Sequence, residues 1–304
     1  MSCCQNCIKK VLLTGLGGVG TVYANLINKN KNIEFKVLAD KTRLEKYKKE
    51  PRLLNGEPCE FEFITPEDEF KPDLVIISTK STGLYNAIKN LKNFIDKKTI
   101  IMSFINGISS ERILQEYFNP EQILYSYIIC HTITRNGNNI LHDGVTTVVW
   151  GDKNNDMSKT VVIKKFFEET KIDNKLSKNI LNSLWEKFCF NCCVNQISAV
   201  TGFNFEQIWN SQECLSLIKN ISNEINQIAI KEGLTGVDLV KSSLENLYKM
   251  IPEVKTSMLQ YIENNRTPET DLFGAEVLRL AEKHKLTVPY NKNLYYDVLN
   301  MTKN

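Results

Sequence analysis

Val11-Leu12-Leu13-Thr14-Gly15-Leu16-Gly17-Gly18-Val19-Gly20 decides the fold, because an apolar run leads directly into G-x-G-x-x-G. In a βαβ unit the first glycine permits the tight turn and the second lets the backbone approach a pyrophosphate. The third lets the helix pack closely on the strand. The free N–H groups of the helix that follows would face the phosphates. On this reading Gly15, Leu16, Gly17, Gly18, Val19 and Gly20 form a dinucleotide loop, with a strand over 9–14 and a helix over 18–28. An acid, Asp40, stands twenty positions beyond Gly20 at the end of a second apolar run, which completes the context the glycine pattern requires.

Asp40 also bears on the cofactor. A carboxylate there accepts hydrogen bonds from a ribose 2′-hydroxyl and repels a 2′-phosphate, which favours NAD. Lys41 and Arg43 follow at once, and either could hold the 2′-phosphate of NADP. Both cofactors therefore stay open.

Working outward, apolar β-rich runs at 35–39, 74–78 and 99–104 alternate with amphipathic stretches. Such continuous runs imply a parallel sheet covered on both faces. Residues 122–129 and 139–150, punctuated by Asn136-Gly137 and Asp143-Gly144, are expected to finish the sheet with an antiparallel edge. After about Asp173 a 3.6-residue period dominates, with helices expected over 177–200, 214–232, 237–248 and 268–283. The fold class is thus α/β: a Rossmann-like domain over 1–175, followed by an all-α domain over 176–304.

Ligands of open parallel sheets lie beyond the carboxyl ends of the strands. Lys80 and Asn106 stand at two such ends, where a solvated lysine and a plain turn are the competing readings. In the helical half, residues 184–197 are apolar almost all round, yet Lys187, Asn191 and Asn195 recur at i, i+4 and i+8. That spacing puts them on one narrow stripe. Burying a lysine and two amides without partners is costly. A carboxylate substrate would satisfy them, and desolvation there suits a lysine to give up a proton. Thr267 as N-cap with Pro268 at N1 reads as a helix start, which by itself makes Glu269 a dipole partner.

The bulk properties are those of an ordinary soluble globular chain: 304 residues, 42% hydrophobic, 24% charged. A formal charge of +3 without a basic cluster argues against nucleic-acid partners. The polar start and short first apolar run argue against a signal peptide or membrane span, so a cytoplasmic location is expected. The nine cysteines then read as reduced thiols. Cys4 and Cys7 (preceded by Cys3) and Cys189 and Cys192 each form a CxxC. Neither has a partner pair at ligand spacing, so no metal is expected.

Taken together, several segments resemble the ketopantoate reductase family over nearly the whole chain. They are Gly15–Gly20, Ser78-Thr79-Lys80, Asn106-Gly107, residues 135–142, the Trp185–Asn191 run with Asn195, residues 256–260, Arg266–Asp271 and Val288–Asn291. The resemblance implies NADPH-dependent reduction of 2-dehydropantoate to pantoate, on the route to pantothenate and coenzyme A. It implies that Lys187 is the general acid and Glu269 its catalytic partner. Asn191, Asn195 and Ser257 would be substrate ligands, while Lys80 and Asn106 would meet nicotinamide and substrate. A cation beside a 2-oxo acid would orient the carboxylate and offset developing alkoxide charge. Three positions depart from the family pattern: Asp40 replaces a basic residue, Tyr261 an acid, and Phe273-Gly274 an Asn-Gly. The alternatives are a reductase of another 2-oxo acid and a non-catalytic NAD(P)-binding sensor. A homodimer is compatible with either.

Overall fold

The computed structural model describes residues 7–301 except positions 131, 155 and 267. Cys3, Cys4 and the expected N-cap Thr267 therefore lie outside the described residues. Two compact units emerge. The first runs up to Asn106 and resumes over Ser110–Ile180, while the second combines Gly107–Ser109 with the chain from Leu181 onward.

The core of the first unit is an eight-stranded sheet. Its strands are β1 (Lys10–Thr14), β2 (Glu34–Leu38), then, past the short β3 (Leu53–Leu54) and β4 (Glu57–Pro58), β5 (Phe63–Ile64), β6 (Leu74–Ile77), β7 (Ile100–Ser103) and β8 (Ile123–Cys130). Beyond β9 (Ile133–Asn136) and β10 (Asn139–His142) come β11 (Thr146–Gly151) and β12 (Asn174–Leu176). The order is β12-β11-β8-β7-β6-β1-β2-β5. From β5 to β8 all neighbours are parallel. β11 pairs antiparallel with β8, so the sheet has the antiparallel edge that the sequence implies. Central strands are sealed on both faces: Leu74, Val75, Ile76 and Ile77 have no exposed surface, which is why they read as unbroken apolar runs.

One expectation is corrected. Residues 139–150 form two strands in two different sheets. β9 and β10 meet at the Asn136-Gly137 turn but join β3 and β4 in a separate four-stranded sheet. Asp143-Gly144 is where the chain switches sheets. The pattern of apolar residues there is too short to say which sheet a strand joins, and β10 is claimed by β3 through Asn139 and Ile140.

Helices α1 (Gly18–Asn28), α2 (Lys41–Lys49), α3 (Leu84–Leu91), α4 (Ser110–Gln115) and α5 (Met157–Thr170) accompany the sheet. α1 buries Tyr23, Ala24 and Ile27 in the core shared with β1 and β6. α2 starts on Asp40, whose Oδ1 accepts the Arg43 N–H at 2.8 Å.

The second unit is helical. α6 (Ile180–Phe190) leads into a π turn (Asn191–Asn195) and α7 (Gln196–Thr201). Then follow α8 (Phe205–Asn210), α9 (Gln212–Lys231), α10 (Leu239–Leu247), α11 (Ser257–Glu263), α12 (Gly274–His284) and α13 (Pro289–Met301). α9 buries Cys214, Ile218, Ile221, Ile225 and Ile228, spaced to form one apolar stripe. The N-terminus of α13 is capped from outside itself. Glu224 on α9 accepts the Tyr290 and Asn291 N–H groups at 3.0 and 2.9 Å and the Asn291 amide at 2.7 Å. That bond set gives the Val288–Asn291 motif a structural role.

Two helix expectations are corrected here. The helix over 177–200 starts at Ile180 and contains the π turn. The helix over 268–283 starts only at Gly274, after a 3-10 turn over Thr270–Leu272. Burial of Leu272 and Phe273 overrides the Pro268 start signal. A Cβ on Gly274 would lie 2.5 Å from the Tyr295 ring, so α12 and α13 approach closely there.

Candidate active site

In the first unit the glycine loop, Lys80 and Asn106 all follow the carboxyl ends of neighbouring parallel strands, β1, β6 and β7. Gly15 has φ +99°, and a Cβ there would lie 2.6 Å from the Ser78 carbonyl. The loop and the Ser78-Thr79-Lys80 segment are therefore pressed together, backbone to backbone. A Cβ on Gly20 would lie 1.9 Å from the Gly15 oxygen, so α1 enters with no room for a side chain. Gly17 is the opposite case, with open space around its α-carbon. It precedes α1 without a side-chain cap, and the first turn of α1 holds no acid. Open backbone beside a helix N-terminus that lacks a side-chain acceptor fits a pyrophosphate. Leu16 is buried, while Gly18 and Val19 are half-buried in the first turn of α1.

Lys80 is exposed at the start of a 3-10 turn over Ser81–Gly83, and Asn106 is exposed beyond β7. Behind Asn106 lies a buried chain of hydroxyls. Ser103 Oγ donates to Ser110 Oγ at 2.9 Å, and Ser110 Oγ donates to Glu111 Oε2 at 2.8 Å. Glu111 is 2% exposed and its Oε1 has no partner among the described residues. Burial pushes its carboxyl up to about 7 from an ordinary value of 4.5, against smaller opposing hydrogen bonds from Ser110 and the backbone.

Around the end of β2 the charges are arranged in pairs. Besides capping α2, Asp40 places Oδ2 3.7 Å from Arg43 Nε and 3.5 Å from the Asn86 amide. Lys41 pairs with Glu67 at 3.6 Å, and both are exposed. Arg52, which no sequence motif includes, is 4% exposed. Its Nε donates to the Leu16 carbonyl at 3.1 Å, and its guanidinium lies over the Tyr47 ring, 5.0 Å from the centroid. No local pattern marks it, because the residue reaches the loop from 36 positions away.

In the second unit Lys187 is half-buried on α6, Asn191 half-buried and Asn195 6% exposed. Asn195 Nδ2 donates to Asn191 Oδ1 at 3.2 Å. The other half of each amide, Asn191 Nδ2 and Asn195 Oδ1, finds no partner among the described residues. In an α-helix, positions four apart drift around the axis by about 40° per step. The wider π turn at Asn191–Asn195 turns that drift back, which keeps the stripe narrow; such turns are frequent at functional sites. Around the stripe Cys189, Cys192 and Cys193 are fully buried free thiols. The Cys189 and Cys193 sulfurs lie 3.9 Å apart, with Cys193 3.1 Å from Ser222 Oγ, so these cysteines are core residues.

Glu269 is half-buried and stands just before the 3-10 turn, its carbonyl accepting the Leu272 N–H at 3.2 Å. It is five residues from the start of α12, so a role for its side chain in that helix's first turn does not arise. Ser257 is exposed in the first turn of α11, whose cap is Thr256. Gly107, within the second unit, sits close to the turn after Glu269: a Cβ on it would be 3.3 Å from the Leu272 carbonyl. Among the described residues no helix is long and apolar enough to cross a membrane.

Comparison with known proteins follows the same division. Residues 11–155 match the family described as ketopantoate reductase PanE/ApbA, and residues 179–301 match its C-terminal part. An uncharacterized oxidoreductase, YkpB, from Bacillus subtilis (strain 168) is 25% identical over 294 residues, covering 94% of this chain and 96% of the relative. A 2-dehydropantoate 2-reductase from Aquifex aeolicus (strain VF5) is 24% identical over 299 residues, covering 94% of each. Among solved structures, D-mandelate dehydrogenase with NADH and anilino(oxo)acetate superposes with a TM-score of 0.83 at 20% identity, over 97% of this chain and 98% of that one. The chain belongs to the ketopantoate reductase family, whose members are NAD(P)H-dependent oxidoreductases.

Proposed function

We propose that this protein reduces a 2-oxo acid to the 2-hydroxy acid with NAD(P)H, and that 2-dehydropantoate, giving pantoate, is its substrate. The linked amides of Asn191 and Asn195 carry the reading. Among the described residues they leave one donor group and one acceptor unused, on the same helical stripe as a lysine and surrounded by apolar side chains. A small oxygen-rich anion with a hydroxyl would satisfy both. The 2-dehydropantoate 2-reductase names among the relatives support the substrate.

A bound nicotinamide supplies the hydride. Residues Gly15–Gly20 would hold the pyrophosphate through backbone N–H groups, and Asp40, Lys41 and Arg43 border the adenosine end. Lys187 would hold the proton destined for the substrate's carbonyl oxygen and offset the negative charge that develops there. Asn191 and Asn195 orient the substrate, with Ser257 as a further ligand. Glu269 acts as partner to Lys187, at the substrate hydroxyl or the cofactor. Lys80 and Asn106 would hold the nicotinamide and substrate end.

A second reading keeps the chemistry and changes the acid. Tyr261 and the buried Phe273 stand where the family pattern carries polar residues, which favours a more apolar 2-oxo acid. Initial rates with ketopantoate against NADPH and NADH in parallel, beside a panel of branched and aryl 2-oxo acids, test both. Fastest turnover of ketopantoate supports the first reading. A clear preference for another oxo acid supports the second. Tight nucleotide binding with no turnover of any oxo acid overturns both.

A further inference from the structure

We propose that Arg52 is the buried anchor for the 2′-phosphate of NADP(H), which makes the phosphorylated nucleotide the preferred cofactor despite Asp40. The inference rests on the reading of this protein as an NAD(P)H-dependent reductase and adds a residue that lies outside every motif singled out in the sequence.

Three observations converge on it. The first is placement. Arg52 Nε is bonded to the carbonyl of Leu16, inside the glycine loop, and its guanidinium stacks on Tyr47 of α2. Tyr47 follows Arg43 by four residues, so both lie on one face of α2. In this fold class the ribose 2′ position faces the end of the second strand, and an arginine nearby accommodates a 2′-phosphate. Arg52 thus bridges the two elements that border that position.

The second is unused bonding capacity. A guanidinium carries five N–H donors. Only Nε–H is engaged; the two Nη groups, with four donors, have no acceptor among the described residues, and no carboxylate pairs with Arg52. A cation that is 4% exposed without a counter-ion is costly. A phosphate matches the flat fork of the guanidinium and would supply both charge and acceptors.

The third is the state of the neighbouring charges. Arg43 stands against Asp40, and Lys41 against Glu67. Asp40 accepts the Arg43 N–H with one oxygen and has the Arg43 guanidinium near the other. Its charge is offset in place, so the repulsion it would exert on a 2′-phosphate is weakened. Among the described residues, Lys41 and Arg43 each have a carboxylate within ion-pair distance and Arg52 has none.

The test uses the full chain without any oxo acid, so that failure of the substrate assignment leaves it readable. Calorimetric titration of wild type with 2′,5′-ADP and with 5′-AMP measures the contribution of the 2′-phosphate directly. NADPH and NADH, followed by nicotinamide fluorescence, repeat the comparison on whole cofactors. Wild type is expected to favour the 2′-phosphorylated ligand by about tenfold or more, the scale of one charge-assisted bidentate contact. Arg52→Met is expected to abolish that preference while 5′-AMP and NADH affinities stay within about twofold. Arg52→Lys, which keeps the charge and loses the fork, is expected to retain only part of it, and it decides the matter should Arg52→Met not melt cooperatively. Equal binding of the two probes by wild type overturns the proposal. So does an equal loss of both probes in the variants, which would make Arg52 a brace for the loop. Wild type that binds neither nucleotide overturns this proposal and the reductase reading together.

Discussion

The glycine loop of the first unit and the Lys187–Asn195 helix of the second meet opposite packing demands. In the loop the useful atoms belong to the backbone, and side chains are removed so that the strand, the helix and the Ser78–Lys80 segment can close on one another. In the helix the useful atoms are at the tips of side chains, and polar groups are kept on a stripe where packing alone would place apolar ones. A backbone site is thus defined by what a Cβ would strike, and a side-chain site by hydrogen-bonding capacity left unused. Damage to the first should appear in stability where a Cβ would strike backbone and in nucleotide binding where the backbone is open, and damage to the second in catalysis with the fold intact.

The largest effect expected is on the helix. Lys187→Ala should lower kcat by about 10²–10⁴-fold, the range for loss of a general acid, with NADPH affinity measured by fluorescence essentially unchanged. A kcat close to wild type would remove the helix from the chemistry altogether. In the loop, Gly20→Ala forces a methyl group onto the Gly15 carbonyl and should cost about 3 kcal/mol in urea unfolding. Gly17→Ala, in open space, should stay within about 0.5 kcal/mol of wild type and instead weaken nucleotide binding. If both glycines behave alike, the distinction drawn for the loop fails.

Glu111 tests the first unit in another way. Its carboxyl titrates near 7 in the folded protein against an ordinary 4.5, so the folded state holds a proton that the unfolded state releases. The resulting stability is fully present below pH 4.5 and is lost as pH rises through about 7, at most about 3 kcal/mol. Urea midpoints at pH 5 and pH 8 should therefore fall with rising pH in wild type and vary much less in Glu111→Gln. Identical slopes would show that this carboxyl is not the source. The smallest effect expected on catalysis is for Asn191→Ala, which removes the acceptor used by Asn195. It should raise KM for the oxo acid by about tenfold, equivalent to about one hydrogen bond to a charged group, with a lesser effect on kcat.

The comparison also explains what could be read from the sequence. Gly15, Gly17 and Gly20 announce their loop because each requirement is local and only glycine meets it. The stripe was legible because lysine and asparagine are conspicuous among Leu184, Phe188, Cys192 and Ile197. The π turn was not, since a one-residue shift in hydrogen-bond register within Asn191–Asn195 leaves no mark on the local apolar pattern. Nor was the sheet that takes β10, because two paired residues, Asn139 and Ile140, decide it. Pro268 signals a helical first turn around Glu269, whereas the packing of Leu272 and Phe273 delays that helix to Gly274. Arg52 was missed because its partners, Leu16 and Tyr47, are brought to it only by the fold.

The π turn has a consequence for how this gene can change. Deleting any one residue of Asn191–Asn195 would allow an unbroken α-helix, and the chain after it would keep nearly its present phase, because the wider turn uses about one residue more per turn than an α-helix does. Gln196, Ile197, Ser198 and Ala199, all buried now, would keep their present faces, while the i, i+4, i+8 spacing of Lys187, Asn191 and Asn195 would be broken. A single lost codon triplet would therefore spare the packing of α7 and rewrite the polar stripe. Deletions in this stretch are changes that the fold can accept and the candidate site cannot.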